Sequence, residues 1–292
     1  MNKYHSDLTF FHIFKILFFI ILITGSTYTH ASDISKGLQY YGSKQYKKAY
    51  QYFIRPSARD NAKVQRCLGY MYSTGSGVQK DDVKAMNWYA KSAAQGNANA
   101  QFDIGTLYYE GEGVKKDYEK AWQWFSLAAN NGYVAAQYNL GVLYDKGRGV
   151  EQDYVKARQW YQKAADQGHP GAMSNLGILY SMGLGGDQDD EKAFELYTKA
   201  AQNGDYAAQY NLAEYYRAGQ GTSRDIDKAI YWYRKSASQG NVKAMDRLAM
   251  FYQYGYRHIP ANQTLSDEWA QKADTARKKT GPDSPPGSAH VR

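Results

Sequence analysis

The sequence predicts an all-α fold, a solenoid of antiparallel helix pairs. Three observations predict it: a period of 36 residues, glycines at fixed places within each period, and helical spacing of the apolar residues between them. The segment Gln101 to Tyr108 returns as Gln137 to Tyr144, as Met173 to Tyr180 and as Gln209 to Tyr216, with no residue inserted or deleted. A unit of this size offers too few large apolar side chains to offset the entropy of ordering its own backbone, so successive units must stack to bury a common core.

Each element follows from its columns. The first helix of a unit carries a small residue at 69, 105, 141, 177, 213 or 249, which lets a neighbouring helix come close, and a tyrosine three places on that is expected to fill the space beside it. Glycine then stands at 75, 111, 147, 183 and 219, and again two places later. Glycine adopts positive φ without a steric penalty and so ends a helix. Aspartate at 81, 117, 153, 189 and 225 is placed to accept the free amide hydrogens of the next helix and to complement its dipole. The second helix sets small and aromatic side chains on one face, as in Ala85, Trp88, Tyr89 and Ala93, and again in Ala157, Trp160, Tyr161 and Ala165. It closes at Gly96, Gly132, Gly168, Gly204 or Gly240.

The segments Asn139 to Tyr144, Gly147 to Tyr154, Lys156-Ala157, Trp160-Tyr161 and Lys163 to Gly168 resemble the Sel-1-like repeat family. The resemblance covers residues 65–256 as five full repeats and the first helix of a sixth, preceded over 32–64 by an N-terminal capping half-repeat that includes Tyr46 to Phe53. Residues 257–279 are expected to supply a C-terminal capping helix, with Trp269 and Ala273 against the last repeat, and 280–292 a disordered tail. Local departures are Gly186 and Thr222 in place of the turn valine, Leu196 in place of the tryptophan, and Ala213 and Ala249 in place of glycine. The resemblance implies a right-handed superhelical solenoid, similar to tetratricopeptide arrays, that works as an adaptor or scaffold in protein complexes.

Residues 1–31 read as a cleaved signal peptide: basic Lys3 and Lys15, an apolar run from Ile16 to Ile23, and Thr29-His30-Ala31 at the end. The run is far shorter than the roughly 20 residues that span a bilayer, so no stable membrane span is expected after cleavage. This predicts a periplasmic or secreted protein. The formal charge of +8 falls to +7 when the signal, with its two lysines and one aspartate, is removed. The lysines are dispersed along helices, so an anionic envelope component or an acidic protein fits the charge better than nucleic acid, which is not expected as a partner. The single cysteine, Cys67, excludes an intramolecular disulfide; its counterparts Asp103, Asn139, Asn175 and Asn211 are polar, which points to a groove-facing thiol, but burial as a small apolar side chain is the expectation.

By analogy with tetratricopeptide arrays, the first helices line the inner surface and a protein or extended peptide partner lies against them. The candidate contact residues are Tyr70, Phe102, Tyr109, Tyr138 and Tyr210, with the amides of Asn139, Asn175 and Asn211 at equal intervals between them. Glu110, Glu214, Arg217 and Tyr254 fall in the same rows. An amide can serve both the carbonyl and the N–H of a peptide, and tyrosine adds contact area at low entropic cost. The alternative is structural: the asparagines bond within the array and most tyrosines are core.

Catalysis finds little support. His169, His258 and His290 remain after signal removal, and none stands at metal-ligand spacing from a second histidine or cysteine. The glycine pairs end helices and are not followed by the Lys-Ser or Lys-Thr of a phosphate loop. No cofactor or metal is expected. Cysteine-rich relatives in the resembled family are associated with β-lactam binding, and Lys279-Thr280-Gly281 matches a triplet of penicillin-recognising enzymes. That triplet needs a strand and a Ser-x-x-Lys nucleophile, which the sequence does not provide.

Overall fold

The computed structural model describes residues 32–256 and 259–280, so the signal-peptide reading, the end of the tail, His258 and His290 lie outside the described residues. The chain divides into two compact units, Met1–Tyr133 and Val134–Arg292. In the first, α1 (32–42) and α2 (Tyr46–Phe53) precede two helix pairs, α3 (Ala62–Thr74) with α4 (Asp82–Ala94) and α5 (Ala98–Glu110) with α6 (Tyr118–Asn130). In the second, α7 (Val134–Lys146) pairs with α8 (Tyr154–Asp166), α9 (Pro170–Ser181) with α10 (Asp190–Gln202), and α11 (Tyr206–Ala218) with α12 (Ile226–Ser238). The last pair is α13 (Val242–Tyr254) with α14 (Gln263–Thr280). Among the described residues, β structure is confined to one isolated bridge between Tyr256 and Ile259.

The capping columns behave as their chemistry dictates. Asp81, Asp117, Asp153, Asp189 and Asp225 each accept the amide hydrogen three residues on, which starts α4, α6, α8, α10 and α12. Gly75, Gly111 and Gly219 close α3, α5 and α11 in the left-handed conformation. The second glycine of the turn has a different role. At Gly185 and Gly221 the backbone passes so close to the carbonyls of Tyr154 and Asp190, at the start of the preceding second helix, that a Cβ would collide with them. Successive pairs therefore meet backbone to backbone there.

Within a pair, the small residue of the first helix receives an aromatic ring from the second. A Cβ on Gly69, Gly105 or Gly141 would lie 2.6 Å from the ring of Tyr89, Phe125 or Tyr161. Phe125 and Tyr161 are fully buried, each worth about 1.5–3 kcal/mol of apolar burial. This corrects the sequence reading that the tyrosine three places on fills that space. Tyr72, Tyr108, Tyr144, Tyr180 and Tyr216 instead lie under the lysine at the third position of the second helix. Lys84, Lys120, Lys156, Lys192 and Lys228 sit 5.2–5.6 Å above those rings. The tryptophans of the second helix are half-buried rather than core, and Lys91 and Lys163 cover Trp88 and Trp160 at 4.5 and 4.0 Å.

A buried glutamine column adds a polar tie. Gln65, Gln101, Gln137 and Gln209 are nearly inaccessible on their first helices. Each accepts an amide hydrogen from the end of the second helix of its own pair, from Gln95, Asn131, Gln167 and Gln239 at 2.8–3.1 Å. Where Met173 takes the place of glutamine, Asn203 turns to the Lys199 carbonyl instead.

Candidate functional site

The first helices hold every candidate contact residue, and the two units treat them differently. In the first unit Arg66 of α3 makes a two-pronged ion pair with Asp103 of α5, through Nε at 2.7 Å and Nη2 at 3.3 Å. The pair ties neighbouring first helices together. Phe102 is wedged between Phe125 and Tyr133, with centroids 5.5 and 5.0 Å away, and Tyr109 packs edge-on to Tyr118. Both rings are half-buried, so they contribute to packing as well as to the surface. Tyr70 is the exposed one, with Tyr41 edge-on at 6.0 Å. Cys67, on the same helix, is buried, and desolvation pushes its thiol up to about 11.

In the second unit Tyr138 leans on Tyr161 and lies flat against His169 at 4.5 Å. The Asn175 amide donates to the Tyr161 hydroxyl at 3.2 Å. That bond supports the structural alternative for this asparagine. The side-chain amides of Asn139 and Asn211, both half-buried, make no hydrogen bond among the described residues. The three amides of the column are thus not equivalent.

Asn211 lines an open cleft of about 290 Å³ with Ile178, Ser181, Glu214 and Arg217. Glu214 is the hub of its charged wall. It accepts from the Tyr233 hydroxyl at 2.6 Å, from Arg217 Nη2 at 2.6 Å and from Arg247 Nε at 2.8 Å. Burial pushes its carboxyl up, but the Tyr233 hydroxyl and the two guanidinium groups outweigh that and hold it below the ordinary glutamate value. Tyr210 stands beside this cluster, 5.8 Å from the Tyr233 ring. On α13, Met250 and Tyr254 are exposed one turn apart, and Met182 is exposed at the end of α9.

The sequence reading placed Glu214 and Arg217 in the right rows without pairing them, and it missed Arg247, which shares a column with Cys67, Asp103 and Asn139. Only the position of one first helix beside the next reveals that partnership. It also used the glutamine column as a marker of period alone. A polar side chain three places before a core leucine or isoleucine, in four units, was the available signal that this amide is buried and paired. No group of three or more metal-ligating side chains occurs among the described residues. Likewise, no described helix is long and apolar enough to cross a membrane.

Tandem helix pairs joined by glycine turns, with the same ring-on-glycine and glutamine contacts recurring from pair to pair, define a helical-repeat protein. The Sel1 repeat model matches residues 64–97, 98–133, 134–169, 170–205, 207–241 and 242–273, and the chain belongs to that family. The sixth match takes in α13 and much of α14. A Sel1 repeat protein from Oxalobacter formigenes has a similar structure, with 35% identity over 87% of this chain and 99% of its own, at a TM-score of 0.78. A protective antigen of uropathogenic Escherichia coli strains, which displays an SLR fold, is 31% identical over 86% of this chain, at a TM-score of 0.67. That match spans 63% of the antigen's own length. Among curated proteins there is no match. The fold class is therefore the all-α SLR solenoid, and repeats of this kind generally mediate protein–protein interaction.

Proposed function

We propose that this protein is an exported, non-enzymatic scaffold that holds a partner protein or extended peptide against the surface of its first helices. The observation that carries the reading is the cleft beside Asn211. There an amide without an internal partner and a guanidinium group share an open wall with apolar Ile178. Such a mixture of donors, acceptors and apolar surface suits peptide backbone and side chains. Within the same unit, exposed Met250 and Tyr254 on α13 and Met182 at the end of α9 add apolar contact area, and in the first unit exposed Tyr70 offers the same chemistry on α3.

Residence in the bacterial periplasm is the preferred location, on the strength of the signal-like residues 1–31. Release from the cell as a host-interaction factor is the second reading, favoured by the likeness to a protective antigen. Fractionation of the producing cell separates the two, since the protein collects either with periplasmic markers or in the medium. β-Lactam hydrolysis is the remote enzymatic reading, and a nitrocefin assay on the mature chain tests it.

Affinity capture with the mature chain as bait, followed by the same capture with Tyr210→Ala/Asn211→Ala, tests the surface. The expected result is at least a ten-fold loss of the captured partner with unchanged helicity, because truncating central contact residues commonly costs more than about 1.4 kcal/mol. Full retention of the partner by the double variant contradicts the assignment. Asn175→Ala is the contrasting variant: it removes the bond to Tyr161, so its first effect is on stability.

A further inference from the structure

The residue before each first helix is Asn61, Asn97, Tyr133, His169, Asp205 or Asn241. Asn97, Asp205 and Asn241 accept the amide hydrogens of Ala100, Ala208 and Ala244 through side-chain oxygens. His169 does the same with its ring: the Ala172 N–H donates to Nδ1 at 3.1 Å. An imidazole nitrogen accepts only while it carries no proton, so this cap requires the neutral ring with its hydrogen on Nε2. The ring is half-buried and lies within 19° of parallel to Tyr138. The titratable groups that face it are Tyr138 from α7 and Asp205, the cap of α11. Burial is the larger influence, and it holds the histidine below its ordinary value against the pull of Asp205.

We propose that His169 is a proton-operated cap, which secures the start of α9 near neutral pH and lets it go when the ring is protonated in mild acid. Protonation turns Nδ1 from an acceptor into a donor facing another donor, and it sets a positive charge at the positive end of the helix dipole. The same charge is attracted to the Asp205 carboxylate. Both forces turn Nδ1 away from the Ala172 amide, which changes how the ring is seated on Tyr138.

The sign follows from proton binding. The folded chain holds this proton less tightly than the unfolded chain, so the contribution of the cap is complete above about pH 6.5 and declines as the pH falls below that value. Helices capped by asparagine have no such step. Where a partner rests on Tyr138, its binding inherits the same pH dependence, but the cap does not depend on the proposed function.

The test is an NMR titration of the mature chain from pH 8 to pH 5, alongside His169→Asn, which places the cap residue of α3, α5 and α13 at the start of α9. His169→Asp, the residue of position 205, replaces that variant if its helicity is lost. At pH 7.5 the ring of His169 is expected as the Nε2–H tautomer. As it titrates, the Ala172 amide and the Tyr138 ring should shift on the same curve. Exchange of the Ala172 amide, corrected for its intrinsic pH dependence, should rise roughly five-fold, as loss of a cap implies. Neither change should occur in the variant. An Nδ1–H tautomer at pH 7.5, silence of Ala172 and Tyr138 while the ring titrates, or the same shifts in the variant would overturn the proposal.

Discussion

At the level of single residues, two glycines with the same sign of φ carry different loads. Gly96 has a φ of 80°, and a Cβ there meets nothing within 4 Å, so Gly96→Ala should cost only the left-handed conformation, about 1–2 kcal/mol. Gly185 has a φ of 75°, and a Cβ there runs into the Tyr154 carbonyl, so Gly185→Ala adds overpacking and should cost roughly 2–5 kcal/mol. Urea denaturation of the two variants checks the order, and equal losses would show that the backbone approach at Gly185 contributes nothing. Both glycines were visible as repeat columns. What the sequence could not separate was a glycine needed for its φ from one needed for close approach, because that depends on the neighbouring pair. The tyrosine column shows the same limit. Its period was plain, yet whether Tyr108 or Phe125 faces Gly105 turns on the rotation of two helices about each other.

At the level of elements, the helix starts were legible because they rest on short-range chemistry. An aspartate before an amphipathic run needs only its own next turn to cap it. Asp81, Asp117, Asp153 and Asp225 are all held below the ordinary aspartate value, first by the hydrogen bond from the backbone amide three residues on. A depressed folded value means stability that is complete above the unfolded value and lost as the pH falls through the folded one. Thermal melts should therefore hold steady from pH 7 to about pH 5 as far as these caps are concerned, and shift downward as acid takes the pH below about 4. Asp225→Ala should lower the midpoint by about 2–4 °C at pH 7 and reduce the acid-dependent part of the shift, with Asp225→Asn recovering most of the neutral-pH loss. An unchanged acid shift in Asp225→Ala would show that the cap adds little to the pH response. The histidine cap of α9 was not legible in the same way, since histidine is an uncommon cap and its ring nitrogen serves only in one tautomer.

At the level of the whole molecule, the fold class was readable from the period alone, whereas the candidate surface was readable only in part. Columns identify which residues share a helix face. They do not say which side chains on that face are already spoken for: Asn175 is bonded to Tyr161, while Asn211 lines an open cleft. The central claim is that the face of the first helices, not that of the second helices, meets the partner. The most direct measurement is site-specific photocross-linking in the producing cell, with a benzophenone amino acid at Tyr70, Met250 or Tyr254 on first helices and at Val83 or Val155 on second helices, all exposed positions. The account predicts a discrete adduct from the first-helix positions and none from Val83 or Val155; adducts from the second-helix positions alone would contradict it.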